Sequence, residues 1–305
     1  MIVNVIKLLT ACLLFVISLS TGSIGHNEGS NKVNPPMAEK MTAPSMGDIR
    51  SMLEEAGLGK YWNTLEQHIR PGFYMAPTMM DESAIKLGTS KIGGHPDVPS
   101  TFQWPSWKHH PMSFIAQINL EEFPMNLVDP EYPASGILYF FYVYDPELWY
   151  DDPQYDADTM NNNLVYYTTE TSELIRMEPP KGLLAPEIFR SALLEKKLEL
   201  TIPDSDYLTE NKLMKNKEDL EKYSLGFWTD FMETYRQGIG FRFLGHMTPL
   251  QYGGHPSDEL LLLQADSSDE IGMNWDLSGL LYFFIREDDF KKAFFGHVYT
   301  DRVGT

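Results

Sequence analysis

The residues best suited to chemistry are two histidines in identical surroundings. Gly-Gly-His-Pro occurs at residues 93–96 and again at residues 253–256, so His95 and His255 each follow two glycines and precede a proline. Glycine permits a left-handed backbone and proline keeps the preceding residue extended, which predicts a defined loop entering a strand. Two such histidines lying together would bind a metal ion or an anion. The simpler expectation is a turn histidine whose ring is satisfied by the fold.

Two glutamines end apolar runs and need hydrogen-bond partners. Gln117 follows the run at residues 114–116, and Gln264 follows the run at residues 260–263. A buried polar group without a partner costs about 1–3 kcal/mol, so each amide is expected to form hydrogen bonds. The favoured partner is the backbone of a Gly-Gly-His-Pro loop in the same or the opposite half. The alternative is a ligand.

Aromatic residues add to the candidate site. Trp104 and Trp107 lie close to His109 and His110 in the sequence, and an aromatic cleft with polar groups is typical of ligand sites. The same tryptophans would serve equally as core residues. The candidate ligand-binding residues are His95, Trp104, Gln117, His255, Gln264 and Trp275. The sequence identifies no catalytic residue, no metal-ligand set and no cofactor.

Acidic residues cluster after two predicted strands. Residues 145–158 carry six carboxylates among tyrosines, and Asp266, Asp269 and Glu270 follow the strand that contains Gln264. Calcium favours several carboxylate and carbonyl oxygens. Neither cluster has the glycine and terminal glutamate of a calcium-binding loop, so solvated acidic loops are the favoured interpretation.

Several catalytic motifs are absent from the sequence. It contains no Gly-x-Ser-x-Gly elbow, no His-Glu-x-x-His, no Walker loop and no dinucleotide-binding glycine motif after a strand. Gly238-Ile239-Gly240 follows a predicted helix, which argues against a phosphate-binding loop. The carboxylates are too numerous to nominate a general acid and a general base without distances.

The surrounding segments predict an α+β fold made of two related β-rich units. Ser-Gly-x-Leu-Tyr-Phe-Phe occurs at residues 135–141 and again at residues 278–284, which extends the histidine and glutamine pairs into an internal duplication with pseudo-twofold symmetry. Short apolar and aromatic runs predict strands at residues 113–120, 136–144, 164–169, 259–266, 279–286 and 295–299.

Helical patterns connect and precede the two units. The units cover about residues 88–170 and 240–300, and a helical connector is predicted between them at about residues 186–238, with helices at 187–198 and 215–237. An N-terminal helical hairpin is predicted to begin with Asp48 as its cap and to cover a face of the sheet. Strand runs separated by a helical block favour α+β over a doubly wound sheet.

The first 25 residues predict a secretory signal peptide, and therefore an exported protein, either secreted or periplasmic. Lys7 precedes an apolar run and a stretch of small residues, and the run is too short to span a bilayer comfortably. Residues 26–44 predict a linker, and residues 45–305 a single bilobed domain. Cys12 is the only cysteine, so the exported chain is expected to lack disulfides.

The composition narrows the range of partners. The chain of 305 residues has a net charge of −19 and is 43% apolar, which supports a substantial core. Nucleic acids and anionic membrane surfaces require lysine and arginine patches, so the charge argues against both as partners.

Several motifs taken together resemble the YwqG-like family, a widespread domain family of unknown function. The resemblance is carried by residues 90–96, 102–105 and 111–120, and by residues 263–267 and 281–285 of the C-terminal half. It extends over about residues 70–300 and implies an internally duplicated α+β fold with no assigned reaction. The chain departs from the family pattern at residues 275–279, where the first glycine of Trp-Gly-Asp-x-Gly is missing.

The sequence leads to a non-enzymatic binding or interaction module with a cleft between the duplicated units. The partner would be a small ligand, a short peptide or another protein, and protection against a secreted toxin is one such role. The alternative is a metal- or histidine-dependent hydrolase-like enzyme that uses His95 or His255 with nearby carboxylates. The ligand, the oligomeric state and any cofactor are unknown from the sequence.

Overall fold

The structure is a computed structural model that describes residues 43–144, 161–235, 240–250, 255–276 and 278–304. Its strands are β1 Arg70–Met79, β2 Lys91–Ile92, β3 Asp97–Pro99, β4 Ser106–Trp107, β5 His110–Pro111, β6 Ser113–Asn119, β7 Ile137–Tyr142, β8 Asn163–Thr168, β9 Leu174–Arg176, β10 Ala192–Thr201, β11 Phe241–Leu244, β12 Glu259–Asp266, β13 Leu280–Arg286 and β14 Tyr299–Val303. The helices are α1 Met46–Glu55, α2 Trp62–Leu65, α3 Ser205–Glu210, α4 Lys217–Lys222, a π-helical segment Tyr223–Trp228, α5 Thr229–Tyr235 and α6 Glu287–Lys291.

Ten of these strands form one antiparallel sheet, which makes the protein a mixed helix-and-sheet fold. The strand order is β14-β13-β12-β11-β1-β10-β2-β6-β7-β8. The two edge strands, β14 and β8, lie close together. The Thr300 hydroxyl of β14 donates to Asn162 Oδ1 beside β8 at 2.9 Å. The rings of Tyr167 and Phe295 also meet, with centroids 5.3 Å apart. The sheet therefore curls almost into a barrel.

The interior of this curled sheet is a single aromatic core. β7 and β13 are apolar at consecutive positions and are buried on both faces, as the sequence pattern predicts. Phe140 and Phe283 meet edge to face with centroids 5.2 Å apart, so strands from both halves contribute to the same core. Neither half buries its aromatic face without the other.

The order of the strands is mirrored about the centre of the sheet. β1 and β10 pair over ten residues, from Arg70 opposite Thr201 to Met79 opposite Ala192. β1 also pairs with β11, and β10 also pairs with β2, so the first long strand of each half is inserted next to the other half. On each side of this centre, the register shifts at one matching place, between Phe114 and Ala116 in β6 and between Leu261 and Leu263 in β12.

The predicted helical connector is wrong in its first part. Residues 192–201 form β10, although their leucines, lysines and glutamates individually favour a helix. The pairing of β10 with β1 on one side and β2 on the other overrides that preference. The second part is helical as predicted, with the successive rings of Phe227, Phe231 and Tyr235 in contact.

The N-terminal part of the described chain contains α1 and short helical turns that lead into β1. Ser45, and not Asp48, caps α1, because the Ser45 hydroxyl accepts from the Asp48 amide while the Asp48 carboxylate accepts from the Ser45 amide. Ile49 and Leu53 are buried in a second core with the helices around Tyr207. The predicted signal peptide and nearly all of the predicted linker lie outside the described residues. None of the described helices is long and apolar enough to cross a membrane.

Candidate functional site

A cavity of about 390 Å³ lies at the end of the sheet where β1 and β12 begin and β11 ends. Its lining comes from segments 67–71, 128–132, 244–245 and 257–260 and from Glu287. Segment 128–132 connects β6 to β7 in the first half, whereas the later segments belong to the second half. We call this space the junction cavity, since both halves of the sheet contribute to it.

Arg70 provides the fixed positive charge of the junction cavity. Its guanidinium donates to the carbonyl oxygens of Glu259 at 2.6 Å and Ser257 at 2.5 Å, which anchors the side chain to the start of β12. The hydroxyl of Thr201 donates to the Arg70 carbonyl at 2.7 Å and fixes the backbone. Among the described residues, no carboxylate forms an ion pair with Arg70. The two carbonyls use two of the five N–H groups of the guanidinium, which leaves three that a ligand could bind.

Carboxylates line another part of the junction cavity. Asp129 and Glu287 both contribute to it, and Lys291 approaches them at 3.4 and 3.1 Å. Lys291 also approaches Glu131 at 2.9 Å, so three carboxylates share one ammonium group. The buried Tyr132 ring lies among these charges, and burial raises the pKa of its hydroxyl, which stays neutral. The cavity thus combines an anchored cation with an acidic region.

A group of aromatic and imidazole rings lies directly behind Arg70. His68 lines the cavity, and its Nδ1 lies 3.0 Å from the Tyr207 hydroxyl. The Tyr207 ring is centred 5.0 Å from His246 and 5.1 Å from His255. Burial, and then the charge of Arg70, lower the pKa of all three histidines, that of His255 to about 4. At neutral pH these imidazoles are uncharged.

The hydrogen bonds define the ring tautomers of the two buried histidines. His246 Nε2 lies 2.6 Å from the His68 carbonyl oxygen, and His255 Nδ1 lies 3.1 Å from the Pro256 carbonyl oxygen. Since a carbonyl only accepts, each of these nitrogens carries the proton. The second ring nitrogen of each histidine has no hydrogen-bond partner among the described residues.

His95 lies in different surroundings from His255. Its amide donates to Glu82 at 3.2 Å and its ring Nδ1 is 3.4 Å from the exposed carboxylate of Glu178. The described contacts of His95 and His255 have no residue in common, so the structure does not bring the two histidines together. Glu82 also binds the buried Lys91 at 2.5 Å. Burial lowers the Lys91 pKa, and its contact with Glu82 opposes that shift.

His246 follows a left-handed turn that resembles the turn before His95. Gly93 and Gly94 have φ angles of 62° and 71°, and Leu244 and Gly245, which precede His246, have φ angles of 62° and 81°. A leucine thus occupies the left-handed position that a glycine occupies in the first half. The amide of His246 donates to the Thr201 hydroxyl at 2.8 Å, as the His95 amide donates to Glu82.

The two glutamines have matching hydrogen bonds. Gln117 accepts from the Asp97 amide at 2.8 Å and donates to the Thr89 carbonyl at 2.7 Å. Gln264 accepts from the Thr248 amide at 2.8 Å and donates to the Gly240 carbonyl at 2.7 Å. Both amides are fully buried. Their partners flank the left-handed turns and do not belong to the predicted Gly-Gly-His-Pro segments.

The two tryptophans among the six candidate residues pack into the core. Trp104 donates to the Met112 carbonyl at 2.8 Å and contacts the core, and Trp275 is fully buried against the Phe189 ring. None of the six candidate residues lines the junction cavity, so their role in ligand binding stays a prediction. Arg70 and the acidic residues around the cavity belong to no recognisable motif, and sequence reasoning missed them.

Of the two acidic clusters noted in the sequence, the structure describes only the one that begins at Asp266. Residues 145–160 lie outside the described residues, as do residues 236–239 and 251–254. Asp266 is described at the end of β12, where burial raises its pKa to about 7. Within the described part of the chain, no group of three or more His, Cys, Asp or Glu side chains is arranged to hold a metal ion.

Fold and cavity define the class of protein: an α+β protein with one curled antiparallel sheet and a polar cavity where its halves meet. The chain belongs to the family DUF1963, a domain of unknown function, whose model matches residues 90–301. A comparison with curated proteins found no match. The matched range begins after β1, so His68 and Arg70 lie outside it.

Proposed function

We propose that this chain is an exported, YwqG-like binding module that holds a small ligand in the junction cavity. The main support is the position of Arg70, which lines the cavity while two carbonyl groups of the second half hold its guanidinium. A space of about 390 Å³ is within the usual range for small-molecule sites. An anchored charge inside such a space gives a ligand both affinity and orientation.

The proposal includes an internal duplication with pseudo-twofold symmetry. It is supported by the mirrored strand order and by the matching glutamine contacts of β6 and β12. Tyr139 and Tyr282 add a third match, because their hydroxyls donate to the carbonyls of Asp97 at 2.5 Å and Thr248 at 2.7 Å. A cavity at the contact between two such units would serve as the cleft of the proposed binding module.

The alternative, a histidine-dependent hydrolase-like enzyme, has one geometric feature in its favour. The His95 ring lies 3.4 Å from the Glu178 carboxylate on the surface of the first half. The binding module is the better-supported function, because the junction cavity offers a concave space with a fixed charge and His95 does not line it.

Native mass spectrometry of the chain purified from its own host tests the binding module. We expect a reproducible mass excess over the polypeptide that is lost on mild denaturation. The same spectrum gives the mass of the polypeptide itself, and export predicts that the signal peptide has been removed.

Two matched variants locate any bound molecule. Ser257 is exposed and lines the junction cavity, so Ser257→Trp would fill the space, whereas Ser172 is exposed elsewhere and Ser172→Trp would not. We expect the mass excess to disappear in Ser257→Trp and to persist in Ser172→Trp, with equal melting temperatures. A mass excess that survives in Ser257→Trp would contradict the proposed function. A bare wild-type chain would contradict it if that chain also binds none of the small molecules added to it.

A further inference from the structure

We propose that the ligand of the junction cavity is a zwitterion of about the size of a free amino acid. Its carboxylate would bind Arg70, and its ammonium group would face Asp129 and Glu287. This inference rests on the proposed function and specifies the chemistry of the ligand.

The carboxylate end follows from the state of Arg70. A guanidinium has five N–H groups, and the structure uses one on each of two nitrogens for the carbonyls of Glu259 and Ser257. Three N–H groups remain, among them Nε–H, and an Nε–H with a neighbouring Nη–H is the pair that binds a carboxylate through two parallel hydrogen bonds. Among the described residues, no Asp or Glu binds that pair.

No other positive charge lines the junction cavity within the described chain. Its lining contains neither a lysine nor a second arginine, and the lowered pKa of His68 keeps that imidazole uncharged at neutral pH. Burial is the larger cause of that shift, and the charge of Arg70 adds to it. A ligand carboxylate therefore has one attractive position in the cavity.

The ammonium end follows from the acidic region. Asp129, Glu131 and Glu287 share the single ammonium group of Lys291, so this region keeps an excess of negative charge. Asp129 and Glu287 also line the cavity, where a second cation would reduce that excess. A ligand with only a carboxylate would approach these two residues without compensation, and a ligand with only an ammonium group would leave Arg70 unpaired.

Binding of amino acids and their one-charge analogues tests the inference on the unmodified protein. The probes are single free amino acids, the matching amines that lack the carboxylate, and the matching carboxylic acids that lack the amine. Isothermal titration calorimetry with chain freed of bound molecules measures each affinity. We expect at least one amino acid to bind and both of its one-charge analogues to bind about 10- to 100-fold more weakly, as the loss of a charged hydrogen bond predicts.

Variants assign each end of the ligand. Arg70→Gln should weaken amino acid binding about 10- to 100-fold and abolish the preference for the amino acid over the amine. The double change Asp129→Asn with Glu287→Gln should abolish the preference over the carboxylic acid. Arg50→Gln is the control, because Arg50 is an exposed arginine of α1 that pairs with Glu54, and neither residue lines the cavity. If Arg70→Gln is poorly folded, Arg70→Lys, which keeps the charge and loses the paired N–H groups, replaces it.

The outcomes separate this inference from the proposed function. Equal binding of the amino acid and either one-charge analogue would overturn the zwitterion. A mass excess in the host-purified chain without amino acid binding would also overturn it, yet would leave the binding module in place. The absence of both would overturn the two proposals together.

Discussion

Asp266 is a mostly buried carboxylic acid whose charge should weaken the fold at neutral pH. It ends β12, and burial raises its pKa from 3.8 to about 7, while a hydrogen bond from the Ser267 amide opposes the shift. Among the described residues, no lysine or arginine forms an ion pair with it. Asp266→Asn keeps the shape of the side chain and its acceptor oxygen but removes the charge. We expect this variant to be more stable than the wild type above about pH 7.

The magnitude follows from the shift in pKa. Since the folded-state pKa is raised, the wild type is most stable while Asp266 is protonated in both states, and it loses stability as the pH rises from about 4 to about 7. A shift of about three pH units corresponds to about 4 kcal/mol. The stability difference between Asp266→Asn and wild type should therefore grow by about 1.4 kcal/mol per pH unit across this range and then level off.

Urea unfolding followed by tryptophan fluorescence measures this difference. The chain contains six tryptophans, and Trp275 is fully buried, so unfolding should change the emission strongly. Comparing the two proteins at each pH cancels the other titrating groups, provided that the slope of free energy against urea is the same. A difference that does not change with pH would refute the reasoning, because it would show that Asp266 is ionised at no cost in the folded chain.

Three further predictions concern the fold around the candidate site. Gln117→Leu and Gln264→Leu should each lower the free energy of unfolding by about 2–5 kcal/mol, since each leaves a backbone amide and a backbone carbonyl unpaired. Gln117 also donates to the buried Asp97 carboxylate at 3.0 Å, so Gln117→Leu should cost more, and urea unfolding in which Gln264→Leu costs more would contradict this. His255 should titrate near pH 4, so its contribution to stability is lost as the pH falls from about 6.5 to about 4, and an NMR titration with an ordinary histidine value would contradict the burial argument. Gly94→Ala should lower the melting temperature more than Gly57→Ala, although both glycines have φ near 70°. A Cβ at residue 94 would lie 1.8 Å from a Glu82 oxygen, whereas a Cβ at residue 57 would have no atom within 4 Å. Equal losses in melting temperature would contradict this.

The sequence predicts the strands that carry their own pattern. Residues 259–266 were predicted and observed as β12 with the same bounds, because a short apolar run bounded by turn residues favours a buried strand over a longer helix. β1 escapes such reasoning because Pro71 and Pro77 interrupt it. The structure tolerates both prolines because β1 has partners on both sides only over residues 72–75, between them.

The second left-handed turn escaped detection for a different reason. Its first position is Leu244 where the other half has a glycine, and Met247 follows His246 where the other half has a proline, so the segment shares only Gly-His with residues 93–96. The matching amide and carbonyl partners of Gln117 and Gln264 reveal it only in three dimensions. The contacts around each turn therefore add a likeness that the repeated tetrapeptide does not show.

The site itself depends on the exchange of strands at the centre of the sheet. Arg70 begins β1, yet its side chain is held by carbonyls at the start of β12 because β1 lies next to β11 of the second half. The family match begins only after β1, so the residue that gives the junction cavity its charge lies outside the matched range. A related chain could have the same strand order, with β1 next to the second half, but a different residue at the position of Arg70. The same fold would then contain the cavity without a fixed cation. The residue at that position, and not membership of the family, should therefore decide whether a related chain binds a carboxylate there.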